Sequence, residues 1–131
     1  MSGFTTSNGK VLDPNGNVFV ARGVNIGDYN TPSAATLQAM LPGINFVRLA
    51  VSDYPSPQSL AASISDLTSH GIVVEIENHA SSDGQNRGGA TGQIFTGSML
   101  TQEQNWYSSV ASYFSNNPYL DFGGFGVCQA A

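Results

Sequence analysis

Ile44-Asn45-Phe46-Val47-Arg48-Leu49-Ala50-Val51 and Ile72-Val73-Val74-Glu75-Ile76-Glu77-Asn78-His79 decide the fold. The first is largely apolar on both faces, as strands buried in a parallel sheet are. The second is dense in the β-branched residues that pack well on a pleated surface. Between them Leu60, Ile64 and Leu67 stand at helical spacing, and His70-Gly71 closes that helix. A strand, a helix and a second strand in this order imply a right-handed βαβ crossover and a parallel sheet.

The same grammar extends outward. Upstream, Thr31-Pro32-Ser33 predicts a helix start with Pro at an early helical position, Leu37, Met40 and Leu41 give a short apolar face, and Pro42-Gly43 stops it. Val24-Asn25-Ile26, ending at Gly27, reads as a strand giving way to a loop. Residues 4–24 predict a hairpin in which Lys10-Val11-Leu12 leads through Asp13-Pro14-Asn15-Gly16-Asn17 into a run from Val18 to Val24. Downstream comes a glycine-rich connection over residues 80–99. Thr101 with Gln104 resembles a capping box. Trp106, Val110, Tyr113 and Phe114 line one helical face, Asn116-Asn117-Pro118 ends it, and Tyr119-Leu120-Asp121-Phe122 opens a last strand. The class is α/β.

Composition narrows the functions. The 131 residues carry four Lys plus Arg, nine Asp plus Glu and a net charge of −5. Four scattered cations do not suit nucleic acid, which needs clustered Lys and Arg to replace phosphate counterions. No stretch approaches the roughly 18 apolar residues of a membrane span. The single cysteine, Cys128, excludes an internal disulfide framework and has no basic neighbour to activate its thiol. Neither common phosphate loop is present, so a flavodoxin-like or nucleotide-binding role is not expected. No Asp, Glu and His spacing makes a convincing metal site, and no cofactor is implied. Met1-Ser2-Gly3-Phe4 lacks the basic start and apolar core of a signal peptide. The chain is therefore cytoplasmic, or secreted by a signal outside it.

Several pieces, in order, resemble glycoside hydrolase family 5, the cellulase family: Ala21-Arg22-Gly23-Val24-Asn25, Asn45-Phe46-Val47-Arg48-Leu49, the strand closing on Asn78-His79, and Trp106 through Asn116-Asn117-Pro118. The likeness runs over about residues 4–122. Family members are (β/α)8 barrels of roughly 250 residues or more. The resemblance thus implies the N-terminal half of such a barrel: one partial domain, 1–131, with an N-terminal hairpin (4–24), a βαβαβαβ segment (25–122) with about four parallel strands and three helices, and an aberrant tail (123–131). It implies that Arg48 holds and polarises a nucleophilic carboxylate, and that His79 hydrogen-bonds sugar hydroxyls. Asn25, Tyr29 and Tyr54 are expected beside His79 as substrate contacts, the tyrosines stacking on sugar rings at the rim. The implied ligand is β-glucan or a cello-oligosaccharide.

The family pattern then breaks. Retaining glycosidases need two carboxylates about 5 to 5.5 Å apart, and the resemblance places the first after an asparagine at the end of the fourth strand. Here that strand runs on as Gly123-Gly124-Phe125-Gly126-Val127, and no Glu follows Glu103. Both catalytic carboxylates are missing, as in a truncated or frame-shifted gene, so the chain is expected to be inactive alone. An alternative is a non-catalytic carbohydrate-binding half-barrel that self-associates through its unpaired sheet edges. The remaining acids have plainer expectations. Glu75 and Glu77 share a strand face with His79, with Glu77 the partner of Arg48 and Glu75 deeper toward the barrel floor. Asp28, Asp53 and Asp83 are loop acids, and Glu103 is a first-turn charge favourable to the helix dipole. Ser81-Ser82-Asp83 lacks the nucleophile elbow of a hydrolase triad. Trp106 is a core residue.

Overall fold

The computed structural model describes residues 3–79 and 96–122. Its main sheet has four parallel strands in the order β3 (Gly23–Gly27), β4 (Phe46–Val51), β5 (Val73–Asn78) and β6 (Leu120–Phe122), preceded by a small antiparallel pair, β1 (Thr5–Ser7) and β2 (Lys10–Leu12). Helices α1 (Ala34–Met40), α2 (Pro57–Ser69) and α3 (Gly97–Tyr113) make the crossovers, and a 3-10 turn, Asp28–Asn30, follows β3. Sequential strands lying side by side, each joined by a helix, form part of a (β/α)8 barrel.

Strand parity divides the sheet into two faces. Val47, Leu49 and Val51 of β4 and Val74 and Ile76 of β5 are buried against the helices. They meet Leu37 of α1, Leu60, Ile64 and Leu67 of α2, and Trp106 and Val110 of α3. The alternate residues, Phe46, Arg48 and Ala50 on β4 with Glu75 and Glu77 on β5, take the other, concave face. Ser33 and Ser56 cap α1 and α2, accepting from Thr36 N at 3.2 Å and Ser59 N at 3.3 Å. Gly71, at φ +75°, lets the chain turn from α2 into β5 without a Cβ penalty. Asp66 of α2 accepts from Ala34 N at 2.7 Å, so one helix satisfies the first free N–H of another.

Local details differ from expectation. The strands β1 and β2 form a hairpin at Asn8-Gly9, ahead of the expected reversal at residues 13–17. Asn8 and Gly9 both have positive φ, 49° and 72°, the geometry that matches the twist of flanking strands. The 13–17 segment is a turn in which the Asp13 carboxylate accepts from Asn15 N and Asn17 N, both at 2.9 Å. The chain reverses there as expected, with Asp13 N donating to Asn17 O and Phe19 N to Val11 O, both at 2.8 Å, around a single antiparallel bridge between Leu12 and Val18. Pro32 precedes the Ser33 cap instead of sitting in the first turn of α1. Helix α3 starts at Gly97 behind Thr96, so Thr101 is interior and its hydroxyl donates back to Gly97 O at 3.2 Å. Tyr113, at the end of α3, is exposed although it lies seven residues from Trp106 on the same helical stripe. Cys128, the rest of the 123–131 tail, Asp83 and Ser81-Ser82 lie outside the described residues.

Candidate functional site

The strand register lines up a polar row across the concave face: Asn25 opposite Arg48, Arg48 opposite Glu75, and Glu75 opposite Asp121. One step nearer the C-terminal strand ends, the row is Gly27, Ala50 and Glu77. Gly27 and Ala50 occupy little volume, and an open cleft of about 320 Å³ forms there, lined by Asn25, Gly27, Tyr29, Arg48, Ser52 and His79 among others. Catalytic and binding groups of (β/α)8 barrels gather at this end of the strands.

Glu77 joins the charged groups. Its side chain is only 2% exposed. Arg48 Nη2 donates to one carboxylate oxygen and His79 Nε2 donates to the other. Arg48 also reaches Glu75, Nε to Oε1 at 3.8 Å. Burial, with Asp121 adding to it, pushes the Glu75 carboxyl above its ordinary range, while Arg48 pulls in the opposite direction. Glu75 and Glu77 follow one another along a single strand, so they cannot stand on opposite sides of a sugar bond.

Four of the sequence-derived residues come together: Asn25, Tyr29, Arg48 and His79 all line the cleft. Tyr29 is 91% exposed, its ring against Gly27. Tyr54 is not among them. Asp53 and Tyr54 have positive φ, 59° and 52°, and the chain turns back so that the Tyr54 ring packs edge-on to Trp106, centroids 6.3 Å apart. Its hydroxyl is buried, which corrects its expected place as a rim platform. Asp28 also differs from a free loop acid, since it accepts from Ser52 N at 3.3 Å and ties the loop after β3 to that after β4.

Glu103 departs most from expectation. It is fully buried in α3 instead of marking the helix start, and its Oε2 accepts from Asn78 Nδ2 at 2.7 Å. One helical turn on, the Tyr107 hydroxyl accepts from Asn78 N at 3.1 Å. The other Glu103 oxygen and the Tyr54 hydroxyl lie outside strict hydrogen-bond geometry with the described side chains, yet each perturbs the proton affinity of the other. Burial raises the Glu103 carboxyl, and pushes the Tyr54 and Tyr107 phenols up to about 12. The signal for Glu103 was present in the sequence: a carboxylate at position 103 shares a helical stripe with Trp106 and Val110.

A raised carboxyl has a stability consequence. Folded protein holds the Glu103 proton more tightly than unfolded chain does, so this group's contribution falls as pH rises from the ordinary 4.5 through the folded value. Glu103→Gln retains an acceptor for Asn78 and removes the ionisable group. It is expected to raise the melting temperature at pH 7 and to flatten the decline above pH 4.5, measured by thermal denaturation across pH.

The chain is similar in structure to a β-mannanase from Thermomonospora fusca, with a TM-score of 0.67 and 21% identity, over 96% of this chain and 42% of that one. It therefore spans about two-fifths of the length of that protein. No protein-family model and no curated protein matches the chain. The likeness is one of fold: this is a partial (β/α)8 barrel. Among the described residues no group of three His, Cys, Asp or Glu is placed to hold a metal ion.

Proposed function

We propose that the cleft of Asn25, Tyr29, Arg48 and His79 binds a β-linked polysaccharide and is one share of the active site of a retaining glycosidase. The observation that carries this is the joining of Arg48, Glu77 and His79 at the C-terminal strand ends, beside an exposed aromatic ring. Imidazole and amide groups suit sugar hydroxyls, and an exposed tyrosine suits the apolar face of a pyranose. The resemblance in sequence favours β-glucan; the mannanase fold likeness makes mannan the second ligand to test. Residues 1–131 alone bind without cleaving, because among the described residues no two acids oppose one another across the cleft and acetal cleavage requires that they do. As a binding module, the same chain would use the free edges of β3 and β6 to associate with a second copy.

The test is titration with cello- and manno-oligosaccharides, combined with a nitrophenyl cellobioside assay and light scattering. Binding to at least one oligosaccharide is expected, without turnover, and weakened about fivefold by Tyr29→Ala through lost stacking. Gly27→Ala is expected to weaken it too, since its new Cβ would meet the Tyr29 ring at 2.6 Å and displace it. Failure to bind either sugar removes the proposed ligand. Turnover abolished by Arg48→Ala or His79→Ala overturns the claim of inactivity. A monomer in light scattering removes the self-association reading.

A further inference from the structure

Asn78 is the last residue of β5 and faces the helix layer, one position before His79 and one after Glu77. Among the described residues β5 pairs with β6 as far as Ile76, opposite Phe122. Beyond that point a different element grips the strand. Glu103 and Tyr107, at i and i+4 on α3, lie on one helical face, and each takes one N–H of the same residue: Glu103 the side-chain amide at 2.7 Å, Tyr107 the main-chain amide at 3.1 Å. On the other side β4 holds the next amide, His79 N to Val51 O at 2.8 Å. A fully buried carboxylate is costly unless it is satisfied, so its place behind the cleft asks for a reason.

We propose that Glu103 and Tyr107 are a paired positioning clamp, which fixes both amides of Asn78 and thereby holds Glu77 and His79 in register at the floor of the cleft. The inference rests on the proposed sugar site for its ligand, but on strand geometry alone for the placement of His79. Neither residue touches the cleft; they act through Asn78. Removing either acceptor withdraws a hydrogen bond from a buried N–H of Asn78, a penalty large enough to shift the strand end. A merely stabilising role would leave His79 unmoved, so the readout is His79 itself.

The chain has two histidines, and His70, at the C-terminus of α2, is an internal control for His79 in side-chain ¹H–¹⁵N spectra. In Glu103→Leu and in Tyr107→Phe, the His79 imidazole resonance is expected to shift and lose its hydrogen-bonded character toward Glu77, with His70 unmoved. Glu103→Gln, which keeps an acceptor for Asn78, is expected to keep the wild-type spectrum. Affinity for cellotetraose or mannotetraose is expected to fall roughly tenfold in Glu103→Leu and to stay within about twofold in Glu103→Gln. Folded Glu103→Leu or Tyr107→Phe protein with an unaltered His79 signal overturns the clamp. If Glu103→Leu does not fold, Tyr107→Phe, which removes a single hydroxyl, decides the question by the same signal. Absence of sugar binding in the wild type would sink the proposed ligand while leaving the His79 test intact.

Discussion

Arg48→Ala is expected to destabilise the folded protein by about 3 kcal/mol. Glu77 is buried, and its two carboxylate oxygens receive Arg48 and His79. Removing the guanidinium leaves the buried carboxylate held by His79 without its arginine. Breaking a buried pair from one side costs about 3 to 5 kcal/mol, and the lower end applies here because Arg48 is 28% exposed. For a domain of this size that is a fall in melting temperature of about 10 °C. The charge is the cause, so Glu77→Gln added to Arg48→Ala is expected to restore most of the loss in chemical denaturation. Equal instability of the single and double variants would instead assign the effect to packing of the arginine stem.

The second large effect contrasts two adjacent residues of β4. Leu49→Ala is expected to cost about 3 to 4 kcal/mol, because Leu49 is completely buried between the sheet and its helices and the neighbours can close the cavity only in part. Ala50 points the other way, into the cleft. Ala50→Leu is expected to change stability by less than about 1 kcal/mol and to block oligosaccharide binding by filling the space beside Glu77. Denaturation and titration of both variants check this. Similar behaviour of the two would mean that the strand faces are assigned wrongly.

Much of the architecture was legible because it follows from short-range periodicity. The alternation in Phe46–Val51 separates Arg48 from Leu49, and the spacing of Leu60, Ile64 and Leu67 sets the buried face of α2. The pairing of Arg48 with Glu77 was legible too, since parity and adjacent parallel strands bring the two together. Turn chemistry was less so. The reversal at residues 13–17 was read, but the Asn8-Gly9 hairpin before it, whose two turn residues both take positive φ, was not.

Tyr54 and Glu103 show where local reasoning stops. Both looked like surface residues, one at a rim and one in a first helical turn. Tyr54 depends on backbone reversal at Asp53, which has no period to read, whereas Glu103 was misplaced by the helix start although its stripe with Trp106 and Val110 was legible. Sequence by itself determined the alternating strands and helices, the side of the sheet each apolar residue faces, and the residues that share the concave face. Only the tertiary structure decided that Asn78 is gripped by Glu103 and Tyr107 from behind. The first set follows from repeats of two and 3.6 residues along one chain, whereas the second arises where segments 25 or more residues apart meet and buried polar groups must find partners there.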